Sequence, residues 1–288
     1  MLWNGMWGMP WRQVRGLVSR LIYVCGSRLY RSYLQRSDEW QFFSTAVILG
    51  LMPLTNHRMT YACLASMVIM QACHPVPVSG MYHGEKFNSI THLLGSALSF
   101  MGFGALLTVS IQHRDPWMIA SFSIFGFTLV LLYTMSTLYH SFYPPELKKL
   151  FQKMDHVSIY LLIAGSYTPY MLVSLRDGAG PTMLALVWSL AALGIALDVF
   201  SRRRIEILQL SIYLLMGWVA VQQYNNLRAA LSPPGLMWLT SGGFAYTLGI
   251  TFYVLDHLKK LQHAHGIWHL FVLAGSLCHF ISVIAYVR

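Results

Sequence analysis

Charged residues are scarce in this chain of 288 residues: Asp, Glu, Lys and Arg make up 10% of it, whereas hydrophobic residues make up 56%. A soluble domain usually carries about a quarter charged residues. Several apolar runs also approach the roughly 20 residues that a helix needs to cross a bilayer. The composition therefore excludes an ordinary soluble protein and predicts an all-α integral membrane protein.

Cysteine is also rare, and the four residues Cys25, Cys63, Cys73 and Cys278 contain no CxxC pair. This spacing suggests neither a zinc knuckle nor a redox motif. The 10 Asp and Glu residues are outnumbered by 20 Lys and Arg residues, which gives a formal net charge of +10. Because the basic residues lie in short loops, they are expected to set the topology and meet anionic headgroups. The predicted partners are membrane lipids and not nucleic acid.

The first 80 residues lack lysine altogether, although they contain seven arginines. Their moderately apolar stretches, near 41–54 and 59–73, are each shorter than a normal span. The segment 1–80 is interpreted as an N-terminal extension that forms a weak extra helix, an interfacial segment or an uncleaved leader. Alternatively, translation begins at Met81. The membrane domain is predicted over 81–288.

From residue 81 onward, apolar runs alternate regularly with short connections that contain proline, glycine or charge. This pattern predicts a bundle of seven transmembrane helices, so the two ends of the domain lie on opposite sides of the membrane. The predicted helices span 89–111, 117–142, 155–175, 181–200, 205–224, 236–257 and 265–287.

Basic residues are distributed unequally between the two sides of this bundle. The side that includes the segment before the first helix holds nine Lys and Arg residues, and the other side holds four. Cytoplasmic loops carry the excess of positive charge. The core N-terminus is therefore predicted to be cytoplasmic, and the expected location is the inner (plasma) membrane of a bacterium, crossed many times.

Ionisable residues within membrane helices are functional candidates, because they are costly at that depth. His140 ends the second predicted helix, Asp155 opens the third, and His265 and His269 open the seventh, all on the cytoplasmic side. His265 and His269 are four residues apart and share one helix face, which lets two imidazoles reach one metal ion. Ser136 lies one turn before His140.

Three histidines from two helices, with a fourth position open, match a catalytic zinc ion better than a structural one. Asp155 is then either a fourth ligand or the group that holds a metal-bound water and accepts its proton. The competing interpretation is a set of histidines that only hydrogen-bond between helices. His279 lies about 21 Å along the helix from His265 and is predicted to be a packing or polar-network residue.

Four motifs follow one another along the membrane domain: Glu85-Lys-Phe-Asn88-Ser-Ile-Thr-His92, Ser136-Thr-Leu-Tyr-His140, Met154-Asp155-His156-Val-Ser-Ile-Tyr-Leu-Leu-Ile-Ala-Gly-Ser-Tyr-Thr-Pro169 and His265-Gly-Ile-Trp-His269-Leu-Phe-Val-Leu-Ala-Gly-Ser-Leu-Cys-His279. In sequence and order they resemble the motifs of the bacterial hemolysin III proteins, which belong to the superfamily of progestin and adiponectin receptors. The resemblance covers residues 83–288 and leaves 1–80 outside it.

The resemblance implies seven helices, an inside N-terminus and a zinc ion near the cytoplasmic face. It implies His140, His265 and His269 as the metal ligands, Asp155 beside the zinc-bound water, and Ser136 as the motif serine. The receptor branch hydrolyses ceramide-like lipid amides. The bacterial branch is named for the lysis of red cells and is also linked to membrane fluidity.

Three functions remain open at this stage. The first is a zinc-dependent hydrolase of lipid amides or esters that serves membrane-lipid homeostasis, with Asp155 and Ser136 as catalytic residues. The second is a non-catalytic membrane regulator in which the zinc holds helices together. The third is a cytolysin, although no water-soluble precursor or amphipathic pore-forming segment is evident. The lipid substrate and the oligomeric state are not determined by the sequence.

Overall fold

The structure is a computed structural model that describes residues 81–82, 84–201 and 206–288, and every regular element in these ranges is helical. The predicted extension over 1–80 and the basic loop Arg202–Arg204 lie outside the described residues. The α-helices are α1 (Glu85–His113), α2 (Pro116–Ser141), α3 (Pro145–Pro169), α4 (Gly180–Phe200), α5 (Glu206–Trp218), α6 (Tyr224–Ala230), α7 (Pro233–His257) and α8 (Ala264–Tyr286).

Five helical stretches in the described ranges are long and apolar enough to cross a membrane. They are α1, α2, α3 with the π-helical turn that continues it, α4 and α8. The all-helical character predicted from composition is therefore confirmed, and these stretches support an integral membrane protein. Helix α7 and the stretch 206–230 are predicted spans that fall outside this set of five.

Proline and a capping carboxylate define where several helices begin. Pro116 is in the first turn of α2, and the side chain of Asp115 accepts a hydrogen bond from the Trp117 N–H at 3.0 Å. Proline is favoured at this position because the first N–H groups of a helix have no partner within the helix. Helices α3 and α7 likewise start at a proline.

The third helix begins ten residues earlier than predicted, at Pro145 instead of 155. The prediction relied on apolar character, whereas the first turns of α3 contain Glu146 and three lysines. These residues are good helix formers, and an acidic residue in the first turn is favourable for the helix dipole. Asp155 therefore lies inside α3 and does not open it.

The predicted helix over 205–224 is interrupted, because α5 ends at Trp218 and a 3₁₀ segment, Val219–Gln223, separates it from α6. The hydroxyl of Tyr167 accepts a hydrogen bond from the Ala220 N–H at 3.0 Å and lies 2.7 Å from the carbonyl oxygen of Met216. A side chain inserted into the backbone ladder in this way breaks the α-helical pattern.

Helix α3 changes character at its end, where the π-helical segment Tyr170–Ser174 follows Pro169. Proline has no N–H to donate to the preceding turn, and π-helical turns are commonly found as single interruptions of α-helices. The segment ends beside Gly180, where an added Cβ would lie 2.2 Å from the carbonyl oxygen of Met171. A glycine is therefore required for this close approach.

The helices form a closed bundle in which sequence neighbours pack together. Helix α1 packs against α2, α2 against α3, α3 against α4 and α7 against α8, and α8 returns to α1. Two tyrosines link α2, α7 and α8, since the hydroxyls of Tyr133 on α2 and Tyr246 on α7 both lie 2.7 Å from the Ser276 hydroxyl on α8. The return of α8 to α1 places the start of α8 beside the start of α1 and the end of α2.

Candidate metal centre

Three histidines from two helices meet at one end of the bundle. His140 lies in the last turn of α2, and His265 and His269 lie in the first turns of α8. Each offers one ring nitrogen, and these three atoms lie within 4.8 Å of one another. The three-histidine cluster, as this group is called below, can therefore hold a metal ion, as the i, i+4 spacing predicted.

The ring of His140 is oriented by Glu85 from the first turn of α1. The Nδ1 atom of His140 donates a short hydrogen bond to the Glu85 carboxylate. That carboxylate also accepts hydrogen bonds from the amide of Asn88 and the ammonium of Lys148, each at 3.0 Å. Glu85 is thus held by two further groups besides the imidazole.

The other two histidines have equivalent oxygen partners. The Nδ1 atom of His265 lies 3.1 Å from the carboxylate of Asp256, at the end of α7. The Nδ1 atom of His269 lies 3.1 Å from the carbonyl oxygen of Asn88 and 3.1 Å from the Thr91 hydroxyl, both on α1. Four helices therefore contribute either a histidine of the cluster or the group that orients it.

These oxygen partners determine which nitrogen is available for a metal. A carbonyl or carboxylate oxygen only accepts, so the proton lies on Nδ1 and the lone pair on Nε2 in each ring. The Nε2 atoms of His140 and His269 are buried and have no hydrogen-bond partner. Histidine ligands usually donate their other N–H to a carboxylate or carbonyl in this way. The residues present therefore fit a metal bound through Nε2.

Asp155 and His265 line one polar cavity of about 110 Å³ next to the cluster. Asp155 is 7% exposed and lies outside the group whose nitrogens converge. A cavity of this size exceeds the roughly 10–15 Å³ that one water molecule needs. The lining residues are Tyr139, Gln152, Asp155, His156, Glu206, Tyr253, Asp256, His257, His265 and Trp268.

Ser136 is buried on α2, one turn before His140. His279 lies apart from the cluster, where its Nε2 atom donates to the Leu239 carbonyl oxygen at 3.2 Å and its ring packs against Tyr246. The prediction that His279 is a packing and polar-network residue is confirmed.

Glu85, Asp256 and His92 are the site residues to which sequence reasoning assigned no role. Glu85 and His92 are the first and last residues of the first motif, but their distance in sequence from the three histidines concealed the contact. Asp256 lies nine residues before His265, and only the turn between α7 and α8 brings the two together. His92 is 3% exposed and stacks on His269 with ring centroids 3.5 Å apart.

The fold and this cluster define a class, namely helical integral membrane proteins with histidines gathered near one end of the bundle. The profile of the family described as Haemolysin-III related matches residues 81–280. The chain therefore belongs to the Haemolysin-III related family, in agreement with the resemblance of its motifs.

Curated relatives come from bacteria and animals. The chain is 40% identical to Hemolysin-3 of Bacillus cereus over 203 residues, which are 70% of this chain and 91% of that protein. It is 41% identical to the Hemolysin-3 homolog of Bacillus subtilis (strain 168) over 202 residues, which are 70% of this chain and 93% of that protein. The human Monocyte to macrophage differentiation factor is 29% identical over 231 residues, which are 74% of this chain and 90% of that protein. No solved structure gives a significant match.

Proposed function

We propose that the three-histidine cluster binds a zinc ion and that the protein hydrolyses an amide or ester bond of a membrane lipid. The observation that carries the proposal is the convergence of three ring nitrogens beside a polar cavity, with the Nε2 atoms of His140 and His269 buried without partners. Imidazole ligands suit zinc, and three histidines with an open position are the pattern of catalytic zinc sites.

The proposal includes seven membrane spans with the core N-terminus in the cytoplasm. The nine-to-four distribution of basic residues supports this orientation. It places Lys148, Lys259 and Lys260 at the cytoplasmic end, together with the three-histidine cluster. Since relatives from two Bacillus species share most of this domain, the proposed location is a bacterial inner (plasma) membrane.

The chain's own residues have distinct roles in this mechanism. When bound, zinc would act as a Lewis acid that polarises a carbonyl oxygen and activates water. Asp155 orients a water molecule in the cavity and accepts its proton as a general base. Ser136 contributes a hydrogen bond near His140, and Glu85 and Asp256 keep the imidazoles in the required tautomer and orientation. The lipid would enter sideways from the bilayer.

A lipid panel tests this function directly. Purified, zinc-loaded protein is incubated with lipid amides and esters of varied headgroup, and released fatty acid is measured by mass spectrometry. We expect release from at least one lipid class, its loss on chelation and its return on adding zinc. Absence of metal-dependent release across the panel would remove the hydrolase and leave the metal site without this role.

A second candidate function is a non-catalytic regulator of the membrane in which the metal joins helices. The observation that favours it is that four helices meet at the cluster. The histidines come from α2 and α8, and their oxygen partners come from α1 and α7. A metal bound there would connect all four helices. Under this function, activity in cells survives the loss of Asp155 but not the loss of His265.

A further inference from the structure

We infer that His92 is a positioning residue of the metal centre, which holds the imidazole of His269 in its ligand orientation by stacking against its face. The inference rests on the proposed metal binding, and it assigns a task to a histidine that provides none of the three converging nitrogens. It also makes α1 a structural part of a site whose ligands lie on α2 and α8.

The contact between the two rings is close and nearly parallel. Their centroids are 3.5 Å apart and their planes differ by 12°. A metal ion bound by His269 would lie in the plane of its imidazole ring, so a ring stacked at this distance is placed to support that plane. His92 therefore limits the tilt of His269 instead of competing for the same position on the metal.

The same turn of α1 also fixes the rotation of His269. The Asn88 carbonyl oxygen and the Thr91 hydroxyl each lie 3.1 Å from its Nδ1 atom. These contacts lie at the edge of the imidazole, whereas His92 contacts its face. The contacts at the edge and at the face of the ring together fix the direction in which the Nε2 atom points. Asn88, Thr91 and His92, which lie within five positions of α1, provide these contacts.

His92 is itself held from behind by a rigid neighbour. Its ring meets the ring of Tyr133 edge to face at 5.1 Å, and the Tyr133 hydroxyl donates to Ser276 at 2.7 Å. Gly95 permits this arrangement, because a Cβ at that position would lie 2.5 Å from the Tyr133 ring. His92 therefore contacts both His269 and Tyr133 within the core.

Neither nitrogen of His92 has a hydrogen-bond partner, although both are buried. If the stacked face is what matters, an aromatic ring without nitrogens performs the same task. If a nitrogen is what matters, such a ring fails. Phenylalanine at this position therefore separates the two possibilities, since it retains an aromatic face and lacks both nitrogens.

The experiment compares His92→Ala and His92→Phe with the parent protein. The zinc dissociation constant is measured by chelator competition, and cobalt(II) is used as a coloured probe of ligand geometry. Loss of a hydrogen-bonding group that orients a metal ligand changes metal affinity by about 10–100-fold, and a stacking contact is expected at the lower end of that range. We expect His92→Ala to weaken zinc binding by about tenfold and to alter the cobalt spectrum, and His92→Phe to restore both. His279→Ala is the matched control, because this partly buried histidine contacts Tyr246 away from the cluster.

The outcomes separate this inference from the proposed function. Unchanged zinc affinity and cobalt spectrum in His92→Ala overturn the positioning role while the metal site stands. A His92→Phe variant that keeps its helical content and melting temperature but binds zinc as weakly as His92→Ala also overturns it, because a nitrogen is then required. Absence of metal from the parent protein overturns both. An equal loss in His279→Ala reduces the effect to general destabilisation and overturns the specific role.

Discussion

Replacing Asp155 with asparagine is expected to lower metal-dependent lipid hydrolysis by about 10²–10⁴-fold, the range typical of a lost general base. The buried carboxylate lines the same cavity as His265 but lies outside the group of converging nitrogens. The substitution preserves size and removes the capacity to take up a proton from water. Steady-state rates on the responsive lipid, with zinc per chain measured in the same samples, check the expectation.

The Asp155→Asn variant must keep its zinc while its rate of hydrolysis falls, because Asp155 is proposed to act as a base and not as a ligand. Asp177→Asn is the matched control, because this aspartate lies in the turn before α4 and its side chain is 95% exposed. Full hydrolytic activity in Asp155→Asn would show that Asp155 is not the general base. Loss of zinc from Asp155→Asn would instead make Asp155 a metal ligand, contrary to the role proposed here.

Replacing Glu85 with alanine is expected to weaken zinc binding by about 10–100-fold, although Glu85 is not a ligand. The variant leaves the Nδ1–H of His140 without its acceptor and removes the carboxylate that pairs with Lys148 at 3.0 Å. The imidazole then loses the contact that fixes its tautomer and its rotation. Chelator competition on detergent-purified protein measures the change.

The control for Glu85 is Glu146→Ala at the same end of the bundle. The side chain of Glu146 is 89% exposed and its ion pair with Lys149 spans 3.6 Å, so it is expected to contribute little. Equal zinc affinity in the parent and Glu85→Ala would show that the carboxylate does not orient His140. Equal weakening in both variants would point to a general effect of surface charge.

The grouping of the three histidines could be predicted because their signals are local. His265 and His269 share a helix face by spacing alone, and His140 follows Ser136 by one turn in a recognisable motif. The groups that orient them could not be predicted in the same way. Glu85 approaches His140 only because α1 packs against α2, and such packing depends on tertiary contacts that no periodicity shows.

Helix boundaries illustrate the same limit. Apolar runs located the membrane-spanning stretches, but the polar start of α3 was missed because hydropathy says little about helix-forming charged residues. The interruption after Trp218 depends on a hydroxyl from Tyr167, a residue of another helix. His92 remained without a role because its stacking partner lies on the last helix.

Elemental analysis of the purified protein is the most direct test of the metal centre. Zinc per chain is counted in mild detergent for the parent and for the His265→Ala/His269→Ala double variant, with helical content confirmed for both. The three-histidine cluster predicts close to one zinc per chain in the parent and a large loss in the variant. A well-folded parent without zinc, or equal zinc in both proteins, would contradict the metal centre and leave a buried polar cluster that packs helices.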